Sequence, residues 1–171
     1  MSFGIWAYPW DLIDEGPREV LARLGDCGLD VVSVAAAYHN VRALCPHNPA
    51  RAVYHGEGGV AYFHPNAAHF TETPVKPVVS LLAEKLDPLR TICEAAAASG
   101  VRVHAWTVLN HNSRLGALHP DCTPRNAFGD RYPFGLCPAH PDVRAYAMGM
   151  VRSLLEVEGI DGIMVGPYDL S

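Results

Sequence analysis

The chain has 171 residues, of which 49% are hydrophobic and 18% are charged, and its formal net charge is -5. This composition is typical of one globular domain with a substantial core and argues against a disordered protein. Lysine and arginine do not cluster, which argues against nucleic acid or an anionic membrane as a partner. The N-terminus lacks a signal-peptide pattern and no apolar stretch is long enough to cross a bilayer, so we predict a cytoplasmic protein.

The cysteines and histidines form no familiar disulfide or metal motif. The five cysteines are odd in number and none stands in a CxxC pair, which favours a reducing compartment over a disulfide framework or a zinc ribbon. The nine histidines are scattered, and the sequence has no HExxH or HxH motif. Because these motifs are absent, we predict no metal site and no cofactor.

The beginning of the chain predicts a strand, a helix and a second strand. Phe3–Tyr8 is a short apolar run that Pro9 closes, which indicates the first strand. Pro17 opens a helix at its first position, and Gly28 ends it. Asp30–Ala37 is a near-continuous apolar run, as expected for a parallel strand buried on both faces.

A long connection follows the second strand. It runs from Tyr38 to about Thr73 with several prolines and glycines and almost no periodicity, so we expect a loop without regular structure. Long loops after strands are the places where barrels carry their functional residues. A short helix is predicted over Pro77–Leu86.

The second half of the chain repeats the alternation of helices and strands. Asp87 is a typical N-cap before a proline, and glycines end both predicted helices. The predicted elements are a helix from Asp87 to Gly100, a strand over Val101–Leu109, a loop from Asn110 to His140, a helix from Pro141 to Gly159 and a strand over Ile160–Val165.

This alternation predicts an α/β fold with a parallel sheet covered by helices. An open doubly wound sheet would also fit, but no GxGxxG or GxxxxGK[ST] loop follows the first strand. We therefore predict a partial TIM (β/α)8 barrel, the N-terminal half, with about four parallel strands in chain order. Because a barrel needs about 250 residues, residues 1–171 are expected to form a single, incomplete barrel domain, either a fragment or a half completed by self-association.

The active site of a barrel lies at the C-terminal ends of its strands, and this rule selects the candidate residues. Aromatic rings with asparagine and histidine suit a hydroxylated ligand such as a sugar. The rings could equally be barrel packing, above all Trp6 and Trp106, and the imidazoles could be structural. The predicted catalytic residues are His39 and Asp169, and the predicted substrate-binding residues are Tyr8, Trp10, Asn40, Trp106, Asn110 and His111.

Glycoside hydrolysis normally needs two carboxylates that flank the scissile bond. Asp11 and Asp169 follow predicted strands, and Glu57 and Asp130 lie on predicted loops. None of the four forms an evident pair in the sequence. We therefore expect the chain to be inactive on its own.

One resemblance covers residues 3 to about 165. It is carried by the VHAWTV segment of the third strand, the FGD turn, the "CP-x-x-P-x-V-R" helix start and the "DGI" strand. The chain resembles the N-terminal half of bacterial glycoside-hydrolase-like barrels near the amylase and family-10-like groups. Such barrels commonly have a carboxylate just after the fourth strand, where this chain has Gly166-Pro167. The carrying segments are Val103–Val108, Phe128–Asp130, Leu136–Arg144 and Gly159–Ile163.

A second, shorter resemblance lies in Val157–Ser171 (VEGIDGIMVGPYDLS), which is similar to a segment of the HpcH/HpaI class II aldolases. It implies that Asp169 binds a divalent metal such as Mg or Mn and that the substrate is a 2-oxo acid. The other metal ligand and the basic residues of those enzymes have no convincing match in this chain.

Three hypotheses follow. The leading one is a glycoside-hydrolase-like barrel fragment with a carbohydrate or other small-molecule pocket, no cofactor, and possible self-association through open sheet edges. The alternatives are a metal-dependent aldolase and a non-catalytic or vestigial binding domain. A carboxylate pair across one cleft would favour the hydrolase, and a divalent metal at Asp169 would favour the aldolase.

Overall fold

The computed structural model describes residues 2–166. The strands are β1 (Gly4–Ala7), β2 (Val31–Tyr38), β3 (Arg42–Leu44), β4 (Val53–His55), β5 (Val60–Ala61), β6 (Arg102–Thr107) and β7 (Ile160–Val165). The α-helices are α1 (Pro9–Glu15), α2 (Pro17–Asp26), α3 (Pro88–Ala96), α4 (Ser113–Leu118) and α5 (Pro141–Leu155), and short 3-10 helices cover Ala67–Phe70, Leu81–Glu84 and Pro120–Cys122.

The main sheet has the strand order β1-β2-β6-β7, and each neighbouring pair is parallel. These four strands are the four that the sequence predicts, in chain order, with helices between them. The predicted fold class is therefore confirmed: the chain is an α/β protein with a four-stranded parallel sheet of the partial-barrel type.

Helix α1 was not predicted. Pro9 does end β1, but it also stands in the first turn of α1. Gly16 has a φ of 89°, a conformation that favours glycine, and it separates α1 from α2, which begins at Pro17 as predicted. With seven residues, α1 is too short to show a helical repeat of apolar positions in the sequence.

The expectation of a structureless loop after β2 is wrong. β3 and β4 form an antiparallel hairpin, and β5 pairs antiparallel with the end of β2. Strands of two or three residues are too short for alternation of apolar and polar residues to reveal them. The helix predicted over Pro77–Leu86 is a single 3-10 turn, Leu81–Glu84, which the Ser80 side chain caps.

The core lies between the sheet and the helices. β2 is buried at all eight positions, and β6 alternates, with Val103, Ala105 and Thr107 buried and His104 and Trp106 partly exposed. The buried members pack against apolar residues of α2, α3 and α5 in one large cluster. The face of the sheet that carries Trp106 is therefore the one turned away from the helices.

Both edges of the main sheet are open within residues 2–166, because the outer strands β1 and β7 each pair with one neighbouring strand only. Trp6 is 59% exposed and Val165 is 57% exposed. A cavity of about 490 Å³ runs along β1, and one of about 270 Å³ lies beside β7. Apolar side chains and unpaired backbone groups thus meet at both edges.

A search of the described residues finds no helix with both the length and the apolar character that crossing a bilayer requires.

Close packing of α5 on the 3-10 helix Ala67–Phe70 allows a stability test. A Cβ on Gly149 would lie 2.7 Å from Phe70 Cε1 and 2.8 Å from the His69 carbonyl oxygen. We expect Gly149→Ala to lower the free energy of unfolding by roughly 1–3 kcal/mol, measured by urea denaturation. Gly25→Ala in α2 is the matched control, since its Cβ would meet Val101 at 3.9 Å. The control should be neutral or slightly stabilising; equal losses for both variants would contradict this account of the packing.

Candidate functional site

Six aromatic or imidazole side chains come together at the C-terminal ends of the parallel strands. Tyr8 follows β1, Tyr38 ends β2, and Trp106 lies near the end of β6. Their convergence follows from parallel pairing, because parallel strands bring their carboxyl ends to the same edge. We call this set the strand-end cluster; its members are Tyr8, Trp10, Tyr38, His39, Trp106 and His111.

The rings pack with stacked and edge-on geometries. Tyr8 stacks on Trp10 at 4.3 Å between centroids and meets Tyr38 edge-on at 5.4 Å. Trp106 meets Tyr38 edge-on at 4.7 Å. Because Tyr8 and Trp106 are only partly buried, the cluster offers apolar ring surface at the strand ends.

Trp10 has a supporting position in this cluster. It is fully buried and lies between Tyr8 and Tyr54, whose ring stacks on it at 3.8 Å. Its influence on a ligand would therefore pass through the ring of Tyr8. The hairpin that carries Tyr54 was not predicted, so this support was not visible in the sequence.

His39 and His111 stack on one another at 4.7 Å between ring centroids. His39 Nδ1 lies 2.7 Å from the Asn40 carbonyl oxygen, which can only accept, so Nδ1 carries the proton and Nε2 is the acceptor nitrogen. Burial lowers the pKa of His39; the hydrogen bond to Asn40 opposes this in part, and the neighbouring His111 adds a smaller lowering effect. His39 is therefore a neutral imidazole near pH 7.

The hydroxyls of Tyr38 and Tyr62 stay protonated. Tyr8 Oη donates to Tyr38 Oη at 3.5 Å, and burial together with Tyr8 raises the pKa of Tyr38. Burial likewise raises the pKa of Tyr62, whose hydroxyl lies 3.4 Å from that of Tyr54. These groups act as hydrogen-bonding phenols rather than as bases.

The two predicted asparagines, Asn40 and Asn110, and the nearby Asn112 occupy three different environments. Asn110 Oδ1 is buried and has no hydrogen-bond partner within residues 2–166, a state that costs about 1–3 kcal/mol and leaves an acceptor unused. Asn40 is exposed and borders a cavity of about 400 Å³ with Arg42 and His55. Asn112 caps α4 through the Leu115 amide.

The loop between β4 and β5 provides backbone acceptors for side chains that follow β6. Asn112 Nδ2 donates to the Gly59 carbonyl at 3.3 Å, and Arg114 donates to the carbonyls of Glu57 and Gly58. Gly59 has a φ of 64°, and a Cβ there would lie 2.1 Å from Asn112 Oδ1. The two loops therefore contact each other so closely that glycine is required.

The candidate carboxylates lie in separate networks. Asp11 accepts from Asn48 Nδ2 at 2.9 Å. Glu57 accepts from the Ser80 hydroxyl and from the Leu81 amide. Each of these carboxylates thus has a structural partner, and so does Asp130, which accepts from Asn126 Nδ2 at 3.1 Å.

Tyr168 and Asp169 lie outside the described residues. The predicted catalytic and alternative metal-binding roles of Asp169 therefore stay predictions.

A cluster of possible metal ligands was missed by the sequence reasoning. Cys122, His140 and Asp142 each have a ligand atom within 4.8 Å of the others. The sequence does not reveal this cluster, because Cys122 is distant from the other two residues along the chain. The Cys-x-x-His spacing of Cys137 and His140 was the available signal for this region.

Comparisons by sequence find no match: no protein-family model matches the chain, and neither does any curated protein.

Solved structures share the fold. A maltogenic alpha-amylase from Thermotoga neapolitana matches 99% of this chain with a TM-score of 0.61 at 17% identity, and a hypothetical protein from Ruminiclostridium thermocellum matches 96% with a TM-score of 0.67 at 13% identity. A pullulanase variant from Paenibacillus barengoltzii, in complex with maltotriose, matches 96% with a TM-score of 0.51 at 15% identity.

The match covers only part of the length of each enzyme. This chain spans 40% of the amylase and 30% of the pullulanase, but 78% of the hypothetical protein. The chain therefore has the fold of a portion of glycoside-hydrolase-like barrels, as the first resemblance implied.

The lowered pKa of His39 gives a pH dependence with a definite sign. Below the ordinary histidine value of about 6.5, the unfolded chain takes up the proton before the folded one does. The free energy of unfolding should thus be unaffected by His39 above about pH 6.5 and should fall as the pH drops from there toward the folded pKa. Urea unfolding at stepped pH should show this loss, and His39→Gln should remove it. A histidine resonance of His39 that titrates at or above its ordinary value by NMR would contradict the assignment.

Proposed function

We propose that the strand-end cluster is part of the carbohydrate-binding site of a glycoside-hydrolase-like barrel. The observation that carries the proposal is the arrangement of the partly exposed Tyr8 and Trp106 around Tyr38, on which the neutral imidazole of His39 stacks, at the carboxyl ends of three adjacent parallel strands. The fold shared with the amylase and pullulanase supports the choice of a sugar as the ligand.

The chemistry of the cluster suits a sugar. The apolar face of a pyranose packs on an aromatic ring, and its hydroxyls need donors and acceptors around that ring. In this proposal Tyr8 and Trp106 supply the ring surface, and Trp10 holds Tyr8 in place. The hydroxyl partners in this proposal are His39 Nε2, His111 and Asn40.

Hydrolysis needs more than this binding surface. Asp169 follows β7 in the sequence and is the catalytic carboxylate of the proposal, with His39 as a proton acceptor or hydrogen-bond partner. A second carboxylate would have to flank the scissile bond, and Asp11, Glu57 and Asp130 are engaged in other networks. We therefore propose that the 171-residue chain binds sugar but does not turn over glycosides.

Isothermal titration with maltotriose tests the binding site. We expect Trp106→Ala and His39→Ala each to weaken binding about tenfold or more, which corresponds to about 1.4 kcal/mol, because each removes ring surface or a hydroxyl partner. Phe128→Ala is the matched control, since Phe128 is 91% exposed on another loop, and it should bind as the original chain does.

Circular dichroism and urea unfolding of each variant separate lost binding from lost folding. Unchanged affinity in both folded cluster variants would reject the carbohydrate site. Measurable glycoside hydrolysis that Asp169→Asn abolishes would reject the claim of inactivity.

The open sheet edges give the proposal a physical consequence. Val165 at the end of β7 is exposed and lies next to backbone groups that have no strand partner within residues 2–166, which favours pairing with another chain. We expect light scattering to show a concentration-dependent oligomer or poor solubility, and Val165→Lys to shift the population toward monomer. Leu118→Lys, at a residue 62% exposed on α4, is the control and should change little. A stable monomer of the original chain would contradict this expectation.

A further inference from the structure

We propose that Cys122, His140 and Asp142 form a site for a zinc-like divalent metal ion, with a fourth coordination position left to solvent. The three ligand atoms come from two parts of the chain: Cys122 ends the 3-10 helix Pro120–Cys122, and His140 and Asp142 flank the start of α5. All three atoms lie within 4.8 Å of one another.

The distances fit a tetrahedral zinc ion. Cys122 Sγ lies 3.6 Å from His140 Nδ1, and His140 Nδ1 lies 3.8 Å from Asp142 Oδ2. With Zn–S of about 2.3 Å and Zn–N of about 2.0–2.1 Å, a tetrahedral angle separates sulfur from nitrogen by about 3.6 Å. The sulfur-to-nitrogen edge thus already has the required length, and the carboxylate would move inward to complete the set.

The backbone holds these residues in place independently of any metal. The Cys137 amide donates to the Cys122 carbonyl at 2.7 Å, and the His140 amide donates to the Cys137 carbonyl at 3.0 Å. His140 Nδ1 also accepts a long hydrogen bond of 3.3 Å from the Asp142 amide, so its lone pair is already used as an acceptor and a metal ion would displace that amide. The ligand atoms are therefore preorganised, and the long hydrogen bond is the contact that a metal would replace.

Charge and accessibility favour a divalent cation of intermediate softness. One thiolate and one carboxylate neutralise a 2+ ion, and the set of sulfur, imidazole and carboxylate suits zinc better than magnesium or calcium. Cys122 is 4% exposed, while the side chains of His140 and Asp142 are about one-third exposed, so an ion can enter from solvent. On binding, the Cys122 thiol gives its proton to solvent and its sulfur bonds to the metal.

The site would fasten a loop that borders the strand-end cluster. Between Cys122 and His140 the chain returns to the sheet, where the Leu136 amide donates to the Asn110 carbonyl at 2.8 Å. A bound ion would connect the 3-10 helix Pro120–Cys122, where this loop begins, to the start of α5, where it ends. The solvent-filled fourth position could also accept an external ligand, as open zinc positions do.

The test uses the full chain, reduced and freed of metal, with Co²⁺ as a spectroscopic probe and Zn²⁺ as competitor. We expect a thiolate-to-cobalt charge-transfer band that saturates at one Co²⁺ per chain and disappears on Zn²⁺ addition. Saturating Zn²⁺ should raise the thermal midpoint by about 5 °C or more, since the ion binds only the folded site. If both the band and the stabilisation are absent, the contact of Cys122 with His140 is a simple thiol–imidazole hydrogen bond and the proposal is overturned.

Variants identify the ligands. Cys122→Ser should abolish the charge-transfer band. Asp142→Asn should weaken Zn²⁺ binding at least about tenfold. Because Asp142 is partly exposed, this second variant is expected to fold. Cys137→Ser is the matched control, because it removes the neighbouring thiol that lies outside the three-ligand set, and it should bind as the original chain does. Binding that survives in both ligand variants, or that is lost in Cys137→Ser, overturns this ligand set.

Discussion

The parallel pairing of β2 with β1 on one side and β6 on the other is the interaction on which the rest of the structure depends. β2 is buried along its whole length, so its backbone groups must find partners inside the protein, and the two parallel ladders and the short antiparallel contact with β5 provide them. The same pairing fixes the direction of three neighbouring strands. Tyr8, Tyr38 and Trp106 consequently emerge at one edge, although they are far apart in the sequence.

Long apolar runs, together with the prolines and glycines that bound the elements, predicted the main sheet correctly. The buried run of β2 and the proline and glycine boundaries of α2 are strong local signals, because burial on both faces and fixed backbone angles leave direct marks in the sequence. Helix α1 and the β3–β4 hairpin left no such marks. They are only a few residues long, and their stability comes from contacts such as the stacking of Trp10 on Tyr54, which no local pattern encodes.

In the candidate site, too, some features could be predicted from local sequence position and others depend on tertiary contacts. Strand-end position was enough to select Tyr8, His39, Trp106 and His111, which the structure brings together. Burial was not predictable, and Trp10 proves to be a support below Tyr8. The approach of Cys122 to His140 depends on a loop that folds back on itself, and a tertiary contact of that kind has no fixed spacing in the sequence.

The loop between β4 and β5 contacts the loop after β6, and this contact restricts how the site can move. Asn112 and Arg114 donate to three successive carbonyls, Glu57, Gly58 and Gly59, so displacement of either loop breaks the hydrogen bonds of both. The free-energy cost of opening is then shared, and the two loops behave as one cooperative unit rather than as independent flaps. The Gly59 amide also donates to the Tyr38 carbonyl at 3.0 Å, so a ligand that orders the backbone next to His39 would thereby also restrict the segment that begins at His111.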